Sequence, residues 1–122
     1  MEDASLTVLL LYGSILYNRS TNAHQKRSME FRDRDIKLFW EDPDNNPPLR
    51  APASMRKMLY RKLQMLDAAA HINDLRVPPG NRLEKLAGRR AGQYSIRVNK
   101  QWRLCFEWAS NGAKGVELID YH

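Results

Sequence analysis

Residues 94–108 read YSIRVNKQWRLCFEW, and this stretch predicts the fold of the chain. Apolar and polar residues alternate on both sides of the central Asn-Lys-Gln segment, a period of two that is typical of half-buried β-strands. The apolar positions are Tyr94, Ile96, Val98, Trp102, Leu104, Phe106 and Trp108. We therefore predict two antiparallel strands joined as a hairpin.

The register of the hairpin follows from its apolar residues, which must lie on one face because a slip of one residue would expose half of them. A loop of Asn99, Lys100 and Gln101 meets this condition. A two-residue loop, although common in hairpins, would pair Ile96 with Arg103 and mix the two faces. The predicted register pairs Val98 with Trp102, Ile96 with Leu104 and Tyr94 with Phe106.

The same register places Arg97 directly opposite Arg103 on the polar face. Like charges opposite one another destabilise a sheet, and a bound anion would relieve this repulsion. The guanidinium group offers a planar fork of donors suited to phosphate, so the pair suggests a phosphate-binding site. The alternative is that both arginines are solvated, or paired with Glu107.

Charge and length narrow the class of protein. The 122 residues suit one domain, and 20 Lys and Arg against 14 Asp and Glu give a net charge of +6. Bases cluster between positions 82 and 103, and such clustering indicates a polyanionic partner such as nucleic acid. The predicted RNA contacts are Lys85, Arg89, Arg90, Asn99 and Lys100.

Cysteine and histidine are too sparse for a recognisable metal motif. Cys105 is the single cysteine, which excludes an intrachain disulfide and a cysteine metal cluster. His24, His71 and His122 are scattered. We expect no metal, no cofactor and a reducing cytoplasmic location.

The first 28 residues differ in composition from the rest. The apolar runs at 6–11 and 15–17 are interrupted by Gly13 and are shorter than the roughly 20 residues of a membrane helix. Glu2 and Asp3 precede them, whereas a secretory signal has positive charge there. We predict a domain over residues 29–122, and an extension over 1–28 that is not part of the natural domain. Alternatively, the extension is a helix that binds a partner or a membrane surface.

The middle of the chain predicts helices before the sheet. Residues 31–40 suggest a short strand and a helical turn, and four prolines between positions 42 and 52 predict a loop. Apolar residues then recur on one helical face, at Met55, Met58, Leu59, Leu63 and Leu66. Ala68–Ala70, Ile72 and Leu75 suggest a second, shorter helix that ends before Pro78. After the hairpin, Val116–Tyr121 predicts a last strand.

Three reactive side chains end the chain: Asp120, Tyr121 and His122. Metal-free cleavage of RNA requires a base for the 2′-hydroxyl, an acid for the leaving oxygen and cations for the phosphate. Histidine can act as acid or base near neutral pH, and tyrosine can stack on a nucleobase or bind phosphate. A frayed terminus is the alternative.

The run DLRVPPGNRLEKLAGRRAGQYSIRVNKQWRLCFEW, closed by VELIDYH, resembles the HigB branch of the RelE-like toxins of bacterial type II toxin–antitoxin systems. The resemblance covers about 31–122 and implies an α+β fold with two N-terminal helices packed on an antiparallel sheet of three to four strands. It implies a plasmid-maintenance toxin that cuts mRNA in the ribosomal A site. It also implies a HigA-like helix-turn-helix antitoxin as partner, and no membrane.

By position, Arg103 matches the family's arginine, and the terminal Asp120, Tyr121 and His122 match its catalytic group. Arg97 matches less well, since some relatives place that arginine where this chain has Asn99. Some relatives carry lysine at the position of Ala87, for which Arg89 or Arg90 would substitute. The resemblance leaves open which terminal residue is acid and which is base. A second reading is a decayed, non-catalytic basic module that still binds its antitoxin or nucleic acid.

Overall fold

A computed structural model of the protein describes residues 29–121. The predictions for residues 1–28 and for His122 lie outside the described residues. We number the two α-helices and four strands in chain order. They are α1 (Arg34–Glu41), α2 (Arg56–Ala68), β1 (Glu84–Lys85), β2 (Gln93–Arg97), β3 (Trp102–Ala109) and β4 (Gly112–Asp120).

The four strands form one antiparallel sheet in the order β1-β2-β3-β4. The predicted hairpin register is confirmed, since Tyr94 pairs with Phe106, Ile96 with Leu104 and Arg97 with Arg103. The Val98 amide donates to the Trp102 carbonyl at 2.9 Å. The loop is fixed by Asn99, whose Oδ1 accepts from the amides of Gln101 and Trp102, each at 2.8 Å.

Helix α2 is the main helix and packs its apolar stripe on the sheet. Leu59, Leu63 and Leu66 of α2, with Met55 just before it, are buried in one core with the hairpin residues Ile96, Leu104 and Phe106. Complete burial of one such side chain contributes about 1.5–3 kcal/mol. The prediction was wrong for Met58, which is 39% exposed.

The expectation of two N-terminal helices packed on the sheet was wrong, because α2 is the one main helix of the described residues: α1 is short, and the helix predicted to follow α2 does not form. Helix α2 ends at Ala68, Ala69 is extended, and Ile72–Arg76 is a five-residue 3₁₀ helix. The Asp74 carboxylate accepts from the amides of Ala70 and His71 at 2.9 and 3.1 Å, which favours this tighter turn.

The segment at 31–40 also differs from its prediction. Phe31 makes a single parallel bridge to Val116, and the following residues form α1, an eight-residue helix that buries Ile36 and Phe39. A helix of only eight residues repeats the apolar period too few times for the sequence to indicate more than a helical turn.

The outer edge of β4 is covered along most of its length. Glu30 N donates to Ala113 O at 3.0 Å, and Val116 N donates to Glu30 O at 2.9 Å. Further along, Leu118 N donates to Asp33 Oδ2 at 2.7 Å, and Arg50 Nη1 donates to Leu118 O at 2.9 Å. Backbone and side chains together thus satisfy this edge.

Candidate functional site

One face of the sheet carries the polar residues of the hairpin, because side chains alternate between the two faces of a strand. We call it the arginine face. It contains Gln93, Ser95, Arg97, Arg103, Cys105, Glu117 and Ile119, which the register places together on the side opposite Ile96, Leu104 and Leu118. Helix α2 packs on the other side.

Arg103 is held in a fixed position on this face. Only 8% of the residue is exposed, its Nε donates to Ser95 Oγ at 2.9 Å, and its Nη2 donates to the Arg82 carbonyl at 2.6 Å. Glu84 Oε1 lies 3.9 Å from Nη2. Among residues 29–121 none accepts a hydrogen bond from Nη1, so part of the donor fork is left for another acceptor.

Arg97 differs from its paired neighbour. It is partly exposed, and no described residue makes a hydrogen bond or an ion pair with its guanidinium. Two positive charges therefore meet on the arginine face, one held rigidly and one free to move. This arrangement suits an anion that approaches from solvent, since Arg103 is preorganised and Arg97 can adapt.

Tyr121 lies against the arginine face. Its amide donates to the Gln101 carbonyl at 2.6 Å, which continues the β3–β4 pairing beyond Asp120. The Arg103 guanidinium carbon is 6.0 Å from the centre of its ring, and Oη is 3.9 Å from Cys105 Sγ. Burial raises the pKa of Tyr121, which keeps the phenol protonated and able to donate.

Asp120 does not join the arginines. It pairs with Trp102, whose side chain is buried with the core, so alternation directs Asp120 to the helix side of the sheet. Gln101 Nε2 donates to both of its carboxylate oxygens, at 3.1 and 3.2 Å. The sequence alone does not assign Asp120 to a face, because Ile119 interrupts the apolar alternation of Val116 and Leu118. The structure places Asp120 on the helix side.

The predicted RNA contacts fall into two groups. Lys85, Arg89, Asn99 and Lys100 are exposed. Arg90 makes hydrogen bonds within the protein: its Nη1 donates to Glu117 Oε2 at 2.8 Å and to Gln93 Oε1 at 3.0 Å. The hydrogen bond to Glu117 raises the pKa of Arg90. Asn99 also has a structural task, since its carbonyl oxygen caps the hairpin loop.

Sequence reasoning missed two carboxylates, Glu84 and Glu117. Glu84 is mostly exposed beside Arg103, whereas Glu117 is largely buried between Arg90 and Arg32, whose Nε is 3.5 Å away. The two-residue strand β1 brings Glu84 opposite Ser95. The sequence LEKL at 83–86 is compatible with a strand, but a strand of two residues is too short for its alternation to be recognised.

The described residues offer neither a metal site nor a membrane-spanning helix. Within residues 29–121, no set of three or more His, Cys, Asp or Glu side chains is placed to hold a metal ion. No helix of this described part is both long and apolar enough to span a bilayer.

Comparison with known proteins assigns the chain to a family. Residues 29–122 match the family HigB-like toxin, described as RelE-like toxins of the type II toxin–antitoxin system HigB. The chain belongs to the HigB-like toxin family. It is 46% identical over 94 residues to Toxin HigB-1 of Vibrio cholerae serotype O1, an alignment that covers 77% of this chain and 93% of the relative.

A further relative agrees with this assignment, and a solved structure shares the fold. The chain is 30% identical over 96 residues to Endoribonuclease HigB of Proteus vulgaris, covering 75% of this HigB-like toxin and 96% of that protein. Among solved structures, the YoeB-YefM complex from Staphylococcus aureus contains a chain with a TM-score of 0.51 and 23% identity. The match covers 80% of this chain and 98% of that one, and shows a shared fold.

Proposed function

We propose that this HigB-like toxin is a metal-independent endoribonuclease that cuts mRNA on the ribosome and thereby blocks translation. Family membership and the endoribonuclease named in Proteus vulgaris support RNA as the substrate. The observation that carries the proposal is the Arg97–Arg103 pair, one arginine preorganised and the other free, on a face that also holds Tyr121.

The cations of this face would act on the phosphate. Attack by a 2′-hydroxyl places extra negative charge on the equatorial oxygens, and donors aimed at those oxygens before the reaction lower the barrier. Arg103 would contribute the Nη1 donors to which no described residue bonds, and Arg97 would close on the same phosphate from the adjacent strand. Lys85, Arg89, Asn99 and Lys100 would contact the flanking RNA.

Residues at the end of the chain would carry out the proton transfers. His122 would serve as general acid or base, with Asp120 and Tyr121 assisting. Tyr121, whose phenol is protonated at neutral pH and whose pKa burial raises further, would donate to phosphate or stack on a base. Asp120 would assist by holding the terminus through Gln101. Glu84 is an exposed carboxylate beside Arg103 and is the natural candidate for the base if His122 is the acid.

The ribosome would supply orientation of the substrate. A small nuclease with so few catalytic groups gains several kcal/mol if the message is held with its 2′-hydroxyl in line for attack. The net charge of +6 is consistent with an RNA-rich binding site in the cytoplasm.

An antitoxin is the second partner. The structural neighbour is one chain of a toxin–antitoxin complex, and the family is defined by a type II system. For this protein we propose a HigA-like helix-turn-helix antitoxin, with which it represses its own operon. The domain that acts would be residues 29–122, with residues 1–28 as an extension.

A decayed, non-catalytic module is the alternative. Ala87 stands where some relatives have lysine, and Arg90, which would substitute, is bound to Glu117. Such a module would still bind antitoxin or RNA.

The deciding experiment is cleavage of a defined mRNA by the purified full chain in EDTA, with and without programmed ribosomes. His122→Ala is the matched variant, and circular dichroism reports whether it folds. Cleavage on ribosomes that is lost in His122→Ala supports the proposal. A folded protein that binds antitoxin or RNA and leaves mRNA intact supports the decayed module.

A further inference from the structure

Arg103 is held partly by a backbone carbonyl that is itself in an unusual place. The acceptor of its Nη2 is Arg82 O, and Arg82 has a left-handed backbone with φ of 46°. A residue with a side chain adopts this conformation only where its surroundings enforce it.

The residue before Arg82 is a buried anchor. Asn81 is completely buried, and its Nδ2 donates to the Leu75 carbonyl at 3.0 Å and to the Val77 carbonyl at 3.4 Å. Its backbone amide also donates to the Pro78 carbonyl at 2.9 Å. The side chain of Asn81 therefore ties the turn at Pro79–Asn81 to the 3₁₀ helix that precedes it.

The side-chain carbonyl of Asn81 accepts a hydrogen bond from Lys62 of α2. Lys62 is 6% exposed, and its Nζ donates to Asn81 Oδ1 at 2.5 Å. Burial in the core lowers the pKa of Lys62, and Arg61 lowers it further. A lysine buried without an acidic partner among the described hydrogen bonds and ion pairs is costly, and the hydrophobic packing of α2 would be served better by an apolar residue.

We infer that Lys62 and Asn81 are positioning residues for Arg103. The chain of contacts runs from Lys62 Nζ to Asn81 Oδ1, through the peptide link to Arg82, and from Arg82 O to Arg103 Nη2. Lys62 and Asn81 together fix the turn at Pro79–Asn81, and this turn orients the Arg82 carbonyl. The carbonyl in turn holds the Arg103 guanidinium so that Nη1 stays on the arginine face. For cleavage, the inference rests on the proposed function.

The test compares Lys62→Met, which keeps the apolar stem and removes the donor, with Lys57→Met, which changes an exposed lysine of the same helix. Asn81→Ala is the second variant. NMR measures solvent exchange of the Arg103 Nε proton, which is bonded to Ser95 Oγ. The Arg50 Nε proton, bonded to Asp35 Oδ2 at 2.8 Å, is the internal control.

In Lys62→Met we expect exchange at Arg103 Nε to rise about tenfold, as for the loss of one supporting hydrogen bond, while Arg50 is unchanged. Unchanged exchange at Arg103 in both Lys62→Met and Asn81→Ala, folded by their amide spectra, overturns the inference. So does an equal rise at Arg50, which indicates general loosening. This readout needs no activity, so it decides the inference even if the wild type does not cleave RNA.

A double-mutant cycle tests the consequence for cleavage. Lys62→Met should lower kcat about tenfold with little change in KM in the wild-type background, and have almost no effect beside Arg103→Ala, because coupled residues are non-additive. The same loss in both backgrounds would show that Lys62 does not act through Arg103. Absence of cleavage by the wild type would overturn the proposed function and leave the exchange result standing.

Discussion

Arg97 and Arg103 lie directly opposite each other on β2 and β3, yet within residues 29–121 only Arg103 has hydrogen-bond partners for its guanidinium. Direct juxtaposition of like charges weakens a sheet by some tenths of a kcal/mol. The hydrogen bonds of Arg103 to Ser95 and Arg82 offset this cost on one side, and exposure to water offsets it on the other. The pair is therefore asymmetric, and its two members should respond differently to substitution.

Arg103→Ala should lower kcat about 100-fold or more, as for removal of a preorganised donor. Arg97→Ala should mainly raise KM, because a mobile, exposed arginine contributes to binding. Arg103→Lys should not restore activity, since an ammonium cannot reproduce the fork. Kinetics on programmed ribosomes measure these effects. Equal kcat losses in the two alanine variants would contradict the asymmetry.

Tyr121→Phe and Tyr121→Ala separate the hydroxyl from the ring. If the phenol donates to phosphate, Tyr121→Phe should lower kcat about tenfold, the value of a modest hydrogen bond. If the ring only packs on Arg103 and stacks on a base, Tyr121→Phe should retain activity and Tyr121→Ala should lose about 1–3 kcal/mol of RNA binding. Cleavage rates and fluorescence anisotropy distinguish the two outcomes.

Cys105 gives a prediction about pH. Burial raises the pKa of its thiol above 9.0, so near that pH the unfolded chain releases a proton that the folded protein keeps. The folded state then binds more protons, and stability present below about pH 9 is lost as pH rises. Urea unfolding should show a steeper loss between neutral and alkaline pH for wild type than for Cys105→Ser, which does not titrate there.

Asn99 should matter for the stability of the hairpin. Its Oδ1 accepts from two backbone amides, so Asn99→Ala should lower the free energy of unfolding by about 1–2 kcal/mol, as for loss of a cap. Asn99→Asp keeps an acceptor and should lose much less. Thermal unfolding measures both variants. An equal loss would show that the amide nitrogen, 3.9 Å from Met55 Sδ, carries the effect instead.

Removal of residues 1–28 tests the domain boundary. Residues 29–33 bond to β4 and cover its edge, so a protein beginning at Met29 should keep the thermal stability and the cleavage rate of the full chain. Loss of ribosome-dependent cleavage, or of binding to the antitoxin, would assign a function to the extension. Circular dichroism and the cleavage assay together give the answer.

The hairpin could be predicted in detail because two independent constraints agree on its register: the apolar period and the loop length. The Arg97–Arg103 pairing follows from that register alone. Residues that reach this face, or support it, from elsewhere in the chain could not be predicted in this way. Glu84 arrives on a two-residue strand, and Asn81 and Lys62 meet through a turn that no sequence period specifies.

Other differences between the sequence analysis and the structure have identifiable physical causes. The predicted second helix was replaced by a 3₁₀ turn because the Asp74 carboxylate captures two backbone amides. Asp120 could not be assigned to a face, since Ile119 interrupts the apolar alternation at the end of β4. The pairing of Arg90 with Glu117 could not be foreseen, because the two residues lie 27 positions apart along the chain; the role of Arg90 as an RNA contact stays a prediction.

The covered edge of β4 bears on how the protein behaves when it is made in quantity. Exposed strand edges recruit edges of other molecules and lead to aggregates. Here the chain from Met29 to Asp33, together with the Arg50 guanidinium, occupies the outward amides and carbonyls of Val116 and Leu118. A shortened protein that begins at Arg34 would lose these bonds and expose the backbone amides of Val116 and Leu118. We expect such a protein to aggregate.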